Sequence, residues 1–99
     1  MATFISTLKF TDQGIKAVGE TGKRSAAFKA LAEKMGVTVK DIYWTLGDYD
    51  SVVVSEAPDD ETITALMLHL ASFGNVRPTT TRAFNAQEMD ALMAKAGGG

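Results

Sequence analysis

Three segments of this chain carry bulky apolar side chains on both faces of an extended backbone. Phe4, Leu8 and Phe10 alternate with Ile5; Ile42, Trp44 and Leu46 alternate with Tyr43; Val52 and Val54 alternate with Val53. Successive side chains of a strand point to opposite sides of its sheet, so such strands need cover above and below. The sequence of 99 residues offers two long apolar stripes of helical period, enough to cover one face. The simplest cover for the other is a second copy of the chain. A homodimer, or a higher oligomer, is therefore expected.

The elements follow from periodicity and punctuation. Thr3 to Phe10 reads as a first strand. Thr11-Asp12 supplies a cap and an acidic first turn for a helix whose apolar stripe begins at Ile15 and Val18. The stripe continues through Phe28, Leu31, Ala32 and Met35, with a kink or break expected at Gly19 and Gly22 and a stop at Gly36. Val37 to Leu46 and Ser51 to Glu56 read as two further strands. Pro58 suits a first helical turn, and Asp59, Asp60 and Glu61 suit the positive end of a helix dipole. Ile63, Leu66, Met67, Leu70 and Ala71 mark the buried stripe of that helix, which Gly74 ends. Val76 to Phe84 reads as a fourth strand, and Asn85-Ala86-Gln87-Glu88 resembles a capping box opening a last helix. The order is β-α-β-β-α-β plus a terminal helix. This is an α+β, ferredoxin-like antiparallel sheet with helices on one face. One domain, 1–96, is expected, followed by a flexible glycine tail, 97–99.

Composition narrows the function classes. A net charge of -2 and a pI near 5.2 leave no electrostatic footprint for nucleic acid. The absence of cysteine excludes a thiol nucleophile, a thiolate metal site and a disulfide framework. The start, MATFISTLKF, lacks the basic opening and long apolar block of a signal peptide, and no apolar run is long enough for a membrane span. A cytoplasmic domain that binds neither membrane nor nucleic acid is the expectation.

The segment Gly47-Asp48-Tyr49-Asp50 places two aspartates around a tyrosine between two strand-like runs. Carboxylates used for acid–base work must straddle a substrate in environments that separate their pKa values. A hairpin tip seldom provides that, whereas glycine and aspartate are the residues a turn requires. The segment reads first as a corner, with Asp50 capping the turn and Tyr49 laid on the hairpin's edge.

This segment also carries a resemblance. Together with FTDQGIK (Phe10 to Lys16), Lys23-Arg24, SEAPDDE (Ser55 to Glu61), GNVR (Gly74 to Arg77) and TRAF (Thr81 to Phe84), it makes the chain similar to GYD-domain proteins over nearly its whole length. The resemblance implies a dimeric α+β barrel, two ferredoxin-like sheets packed face to face. It implies no particular reaction.

Candidate chemistry is sparse. His69 is the only histidine and the only side chain whose ordinary pKa lies near neutrality. It sits beside the apolar stripe of its helix, so it is either a solvated structural residue, an acid–base group or a single axial haem ligand. No metal cluster is expected, and no cofactor is required by the sequence. Arg24 and Arg82 are candidates for gripping an anion, although Glu20 and Arg24 also have the spacing of an ordinary helix-surface ion pair. Trp44 is either core filler or the wall of a pocket for a planar ligand, and the methionines at apolar helical positions read as packing. Three readings stand. The first is a dimer binding a small flat or anionic molecule with Arg24, Trp44, His69 and Arg82. The second is a small monooxygenase-like or haem-linked enzyme using His69. The third is a purely structural interaction module.

Overall fold

The computed structural model describes residues 1–97. Strands β1 (Ala2–Phe10), β2 (Thr38–Trp44), β3 (Ser51–Ala57) and β4 (Val76–Ala83) form one antiparallel sheet in the order β2-β3-β1-β4. The helices are α1 (Asp12–Lys16), α2 (Thr21–Lys34), α3 (Asp60–Ser72) and α4 (Ala86–Lys95), with a 3-10 turn at Val18–Glu20. This is the expected α+β order. The expected glycine tail lies outside the described residues apart from Gly97.

Alternation along the strands gives the sheet two faces. Phe4, Ser6 and Leu8 of β1 and Ser51, Val53, Ser55 and Ala57 of β3 are buried under α2 and α3. There they meet Phe28, Ala32, Ile63, Leu66 and Met67 in a single core. Ile5, Val52, Val54 and Tyr43 point to the opposite side, where no helix lies. There Ile5 is 38% and Tyr43 58% exposed. The two-faced strands are thus present, with one face of the sheet open in the single chain.

The helix boundaries follow local chemistry. Thr11 caps α1, Asp59 caps α3 and Asn85 caps α4, where Glu88 returns a bond to the Asn85 N–H and completes the capping box. Pro58 precedes the α3 cap rather than lying inside the helix. Gly36 and Gly74, at φ +81° and +83°, follow α2 and α3 in the left-handed conformation that glycine adopts without steric cost.

Several expectations are corrected. Ile15 and Val18 do not start a buried stripe; they are 50% and 42% exposed, because α1 docks through the backbone at Gly14 instead. Leu46 does not continue the Ile42-Trp44 face: β2 ends at Trp44, and Leu46 lies fully exposed in the following loop. Glu20 pairs with Lys23 at 3.6 Å rather than with Arg24. Met67 packs in the core, but Met89 and Met93 are exposed, and α4 buries no residue of its own chain. The Cα radius of gyration is 15.0 Å, against about 13 Å for a compact chain of this length.

Candidate functional site

The loop Thr45–Asp50 joins β2 to β3 and contains the Gly-Asp-Tyr-Asp segment. It is longer than a tight two-residue turn, and Gly47 (φ +146°) is its one residue at positive φ. Asp50 does not cap this turn. Its carboxylate accepts from the Phe10 N–H at 2.7 Å, and its N–H donates to the Leu8 carbonyl at 2.8 Å. Asp50 therefore ties the hairpin to the central strand β1, one residue before the β1–β3 ladder begins at Leu8 and Ser51. At the loop's other end, the Thr45 N–H donates to Asp50 O (2.9 Å) and the Thr45 hydroxyl to Tyr49 O (2.6 Å). Asp48 and Tyr49 are exposed on the outer side.

A second junction joins α1 to the turn before β4. The Thr11 N–H donates to Asn75 O (3.1 Å) and the Thr11 hydroxyl to Gly74 O (2.5 Å). Gln13 Nε2 donates to Phe73 O and to Asn75 Oδ1, each at 3.0 Å. Gly14 sits so close that a Cβ there would lie 1.9 Å from Asn75 O. The segments FTDQGIK and GNVR, read above only as parts of a pattern, are the two halves of this junction.

Between α2, α3 and the helix side of the sheet lies a cleft of about 530 Å³. Its interior is apolar: Leu8, Phe28, Leu31, Ile42, Val53, Leu70 and Val76. Phe10, Trp44, Phe73 and His69 supply aromatic wall, and Thr21, Ser25, Ser51, Asn75 and Arg24 supply polar atoms. Trp44 is 50% exposed and is not core filler. Its indole N–H donates to the Thr21 hydroxyl at 3.0 Å, which fixes the ring across the gap between β2 and the start of α2. The His69 ring is tilted against Phe73 with centroids 5.3 Å apart. Arg24 Nη2 donates to the Gly14 carbonyl at 3.2 Å and so links α2 to the second junction.

The fold thus brings Arg24, Trp44 and His69 to one cleft, and Arg82 to another place. Arg82, on β4, packs 4.3 Å from the Phe84 ring centroid and 5.7 Å from that of Phe4. It donates to the Thr3 and Ala83 carbonyls and lies 3.7 Å from the Glu88 carboxylate. These contacts fasten β4 to the start of α4. Strand periodicity explains the separation: Arg82 pairs with Phe4, whereas the cleft floor is reached at Val76 and Phe10, the other end of the same pair of strands. Phe10, Phe73 and Asn75 escaped the sequence reading as cleft residues. The glycine-bounded end of α3 was their one signal.

The sheet order and helix placement make this an α+β domain of ferredoxin-like topology with a cleft on its helical side. The sequence profile of the GYD domain matches residues 4–93, and the chain belongs to that family. It is 37% identical over 94 residues to a Thermus thermophilus protein named "Glutamine synthetase and cystathionine beta-lyase binding protein", covering 94% of this chain and 99% of that one. Among solved structures, TTHA0845 from Thermus thermophilus superposes with a TM-score of 0.57 at 23% identity, over 87% of this chain and 96% of that one. MtbAldR superposes with a TM-score of 0.58 at 16% identity, over 85% of this chain. The present chain spans 53% of MtbAldR. These two likenesses concern the fold alone. No helix among the described residues is long and apolar enough to cross a membrane.

Proposed function

We propose that this protein is a small-molecule-binding module that works as a homodimer, taking its ligand in the cleft between α2 and α3. The observation that carries this reading is the cleft itself. Its volume of about 530 Å³ falls in the usual range for small-molecule sites, and it has an apolar interior with a few polar groups at its walls. Arg24, Trp44 and His69 are the residues assigned to ligand contact, and Trp44 is held in place for it by Thr21. The homodimer rests on the open sheet face, where Ile5, Val52, Val54 and Tyr43 lack a helical cover. A binding role is favoured over a catalytic one because, among the described residues, the His69 ring has no hydrogen-bonded carboxylate or hydroxyl to poise it. Native mass spectrometry on protein purified gently from its own host tests both parts at once. A dimer retaining added mass that Trp44→Ala abolishes is the expected result. An empty monomer would overturn both parts.

A second reading is an interaction module for other proteins. The name of the Thermus thermophilus relative favours it, as does the hairpin loop, where Leu46 is wholly exposed beside Tyr49. Affinity capture by wild-type protein and by Leu46→Asp distinguishes the two: enzyme partners lost specifically with Leu46→Asp would favour this reading.

A further inference from the structure

Among the described residues the cleft's own lining carries no carboxylate, and the adjoining Asp50 carboxylate is taken up by the Phe10 N–H at 2.7 Å. Arg24 and His69 are the only ionisable side chains among the described residues that line the cleft. Glu20, the carboxylate nearest Arg24 in sequence on the same helical segment, is engaged by Lys23 at 3.6 Å. Among the described residues no carboxylate lies within ion-pair distance of Arg24. Arg24 is half-buried, and its guanidinium donates one bond, to the Gly14 carbonyl. A guanidinium carries five N–H donors in a planar fork that matches a carboxylate, so most of that capacity is uncommitted. It lines a cleft with an apolar interior of Leu8, Ile42, Val53 and Leu70, to which Thr21, Ser25, Ser51 and Asn75 add uncharged polar atoms.

We propose that the ligand is an apolar monocarboxylate. Its hydrocarbon or aromatic body lies on the sheet beneath Trp44 and Phe73, and its carboxylate is held by Arg24. This assignment rests on the binding reading above and narrows it. The cleft, at about 530 Å³, suits a ligand of ordinary small-molecule size. The positive end of α2 lies on the same side as Arg24 and adds to the preference for an anion.

The test uses the full chain and two probes of equal size, phenylbutanoate and its uncharged amide, phenylbutanamide. Binding is read by calorimetry and by the emission of Trp44, the only tryptophan. The acid is expected to bind at least about tenfold more tightly than the amide, in line with a hydrogen-bonded charge pair. Arg24→Gln should bring the two affinities within about twofold by weakening the acid alone, and Arg24→Lys should restore only the part of the preference that charge without the planar fork supplies. Equal affinities in the unmodified protein would overturn the carboxylate assignment and leave the binding cleft standing. An acid preference that survives Arg24→Gln would overturn the role of Arg24. Failure of both probes to bind or to shift the Trp44 emission would overturn the cleft reading itself.

Discussion

Asp50 and Phe10 are 40 residues apart in sequence, and the Asp50 carboxylate accepts the Phe10 N–H at 2.7 Å. The bond is charge-assisted and partly buried, so its loss strands a backbone donor beside the core. Asp50→Ala is expected to cost about 1–3 kcal/mol, measured by denaturant unfolding. Asp48→Ala, two residues away on the exposed side, should stay within about 0.5 kcal/mol. Equal effects from the two substitutions would mean that the Asp50 bond contributes nothing.

Two glycines separate close approach from mere flexibility. Gly14→Ala places a Cβ against the Asn75 carbonyl, where backbone on both sides cannot yield. A loss of at least about 2 kcal/mol is expected. Gly22, in the first turn of α2, has nothing within 4 Å of a built Cβ. Gly22→Ala should stabilise the protein by about 0.4–1 kcal/mol. Thermal melts of the two variants shifting in the same direction would contradict the geometry of the α1 junction.

The Asp59 carboxyl is held below the usual carboxylate range by the side-chain and backbone hydrogen bonds it receives from Thr62 at the start of α3. A lowered folded-state pKa stabilises the fold above the ordinary aspartate value of about 3.9, and that contribution is lost as pH falls through the folded value. Asp59→Asn keeps a capping side chain but does not titrate. Its melting temperature should fall less steeply on acidification than that of the wild type. Superimposable acid profiles would refute the assignment.

The proposed homodimer makes a prediction on the open sheet face. Ile5→Lys puts a charge at the centre of the apolar patch formed with Val52 and Val54. Burying it in an interface would be costly, while the single chain keeps that position in water. The variant should remain folded by circular dichroism and run as a monomer in analytical ultracentrifugation. A dimer of unchanged stability would place the interface elsewhere.

Much of this architecture is written in local patterns. Alternation marked β1, strand-like runs on either side of the Gly-Asp-Tyr-Asp segment marked β2 and β3, a threonine-rich run marked β4, and side-chain caps at Thr11 and Asn85 marked helix starts where the structure has them. What failed was long-range. Asp50 carries the chemistry of a turn residue, and only the neighbouring strand reveals that its partner is Phe10. Ile15 looked like the start of a buried stripe because the pattern cannot show that α1 docks through Gly14. Arg24 and Arg82 are equally plausible anion grips in sequence; strand register sends Arg82 to Phe4 and Phe84, away from the cleft.

The hairpin that carries the family's signature is rooted in cleft walls at each end. Trp44 precedes it, Ser51 follows it, and Asp50 is bonded to Leu8 and Phe10. A loop tethered in this way has already given up much of its conformational entropy on folding. A protein surface that met Leu46 and Tyr49 would engage a preorganised edge, with less ordering cost than a free loop imposes.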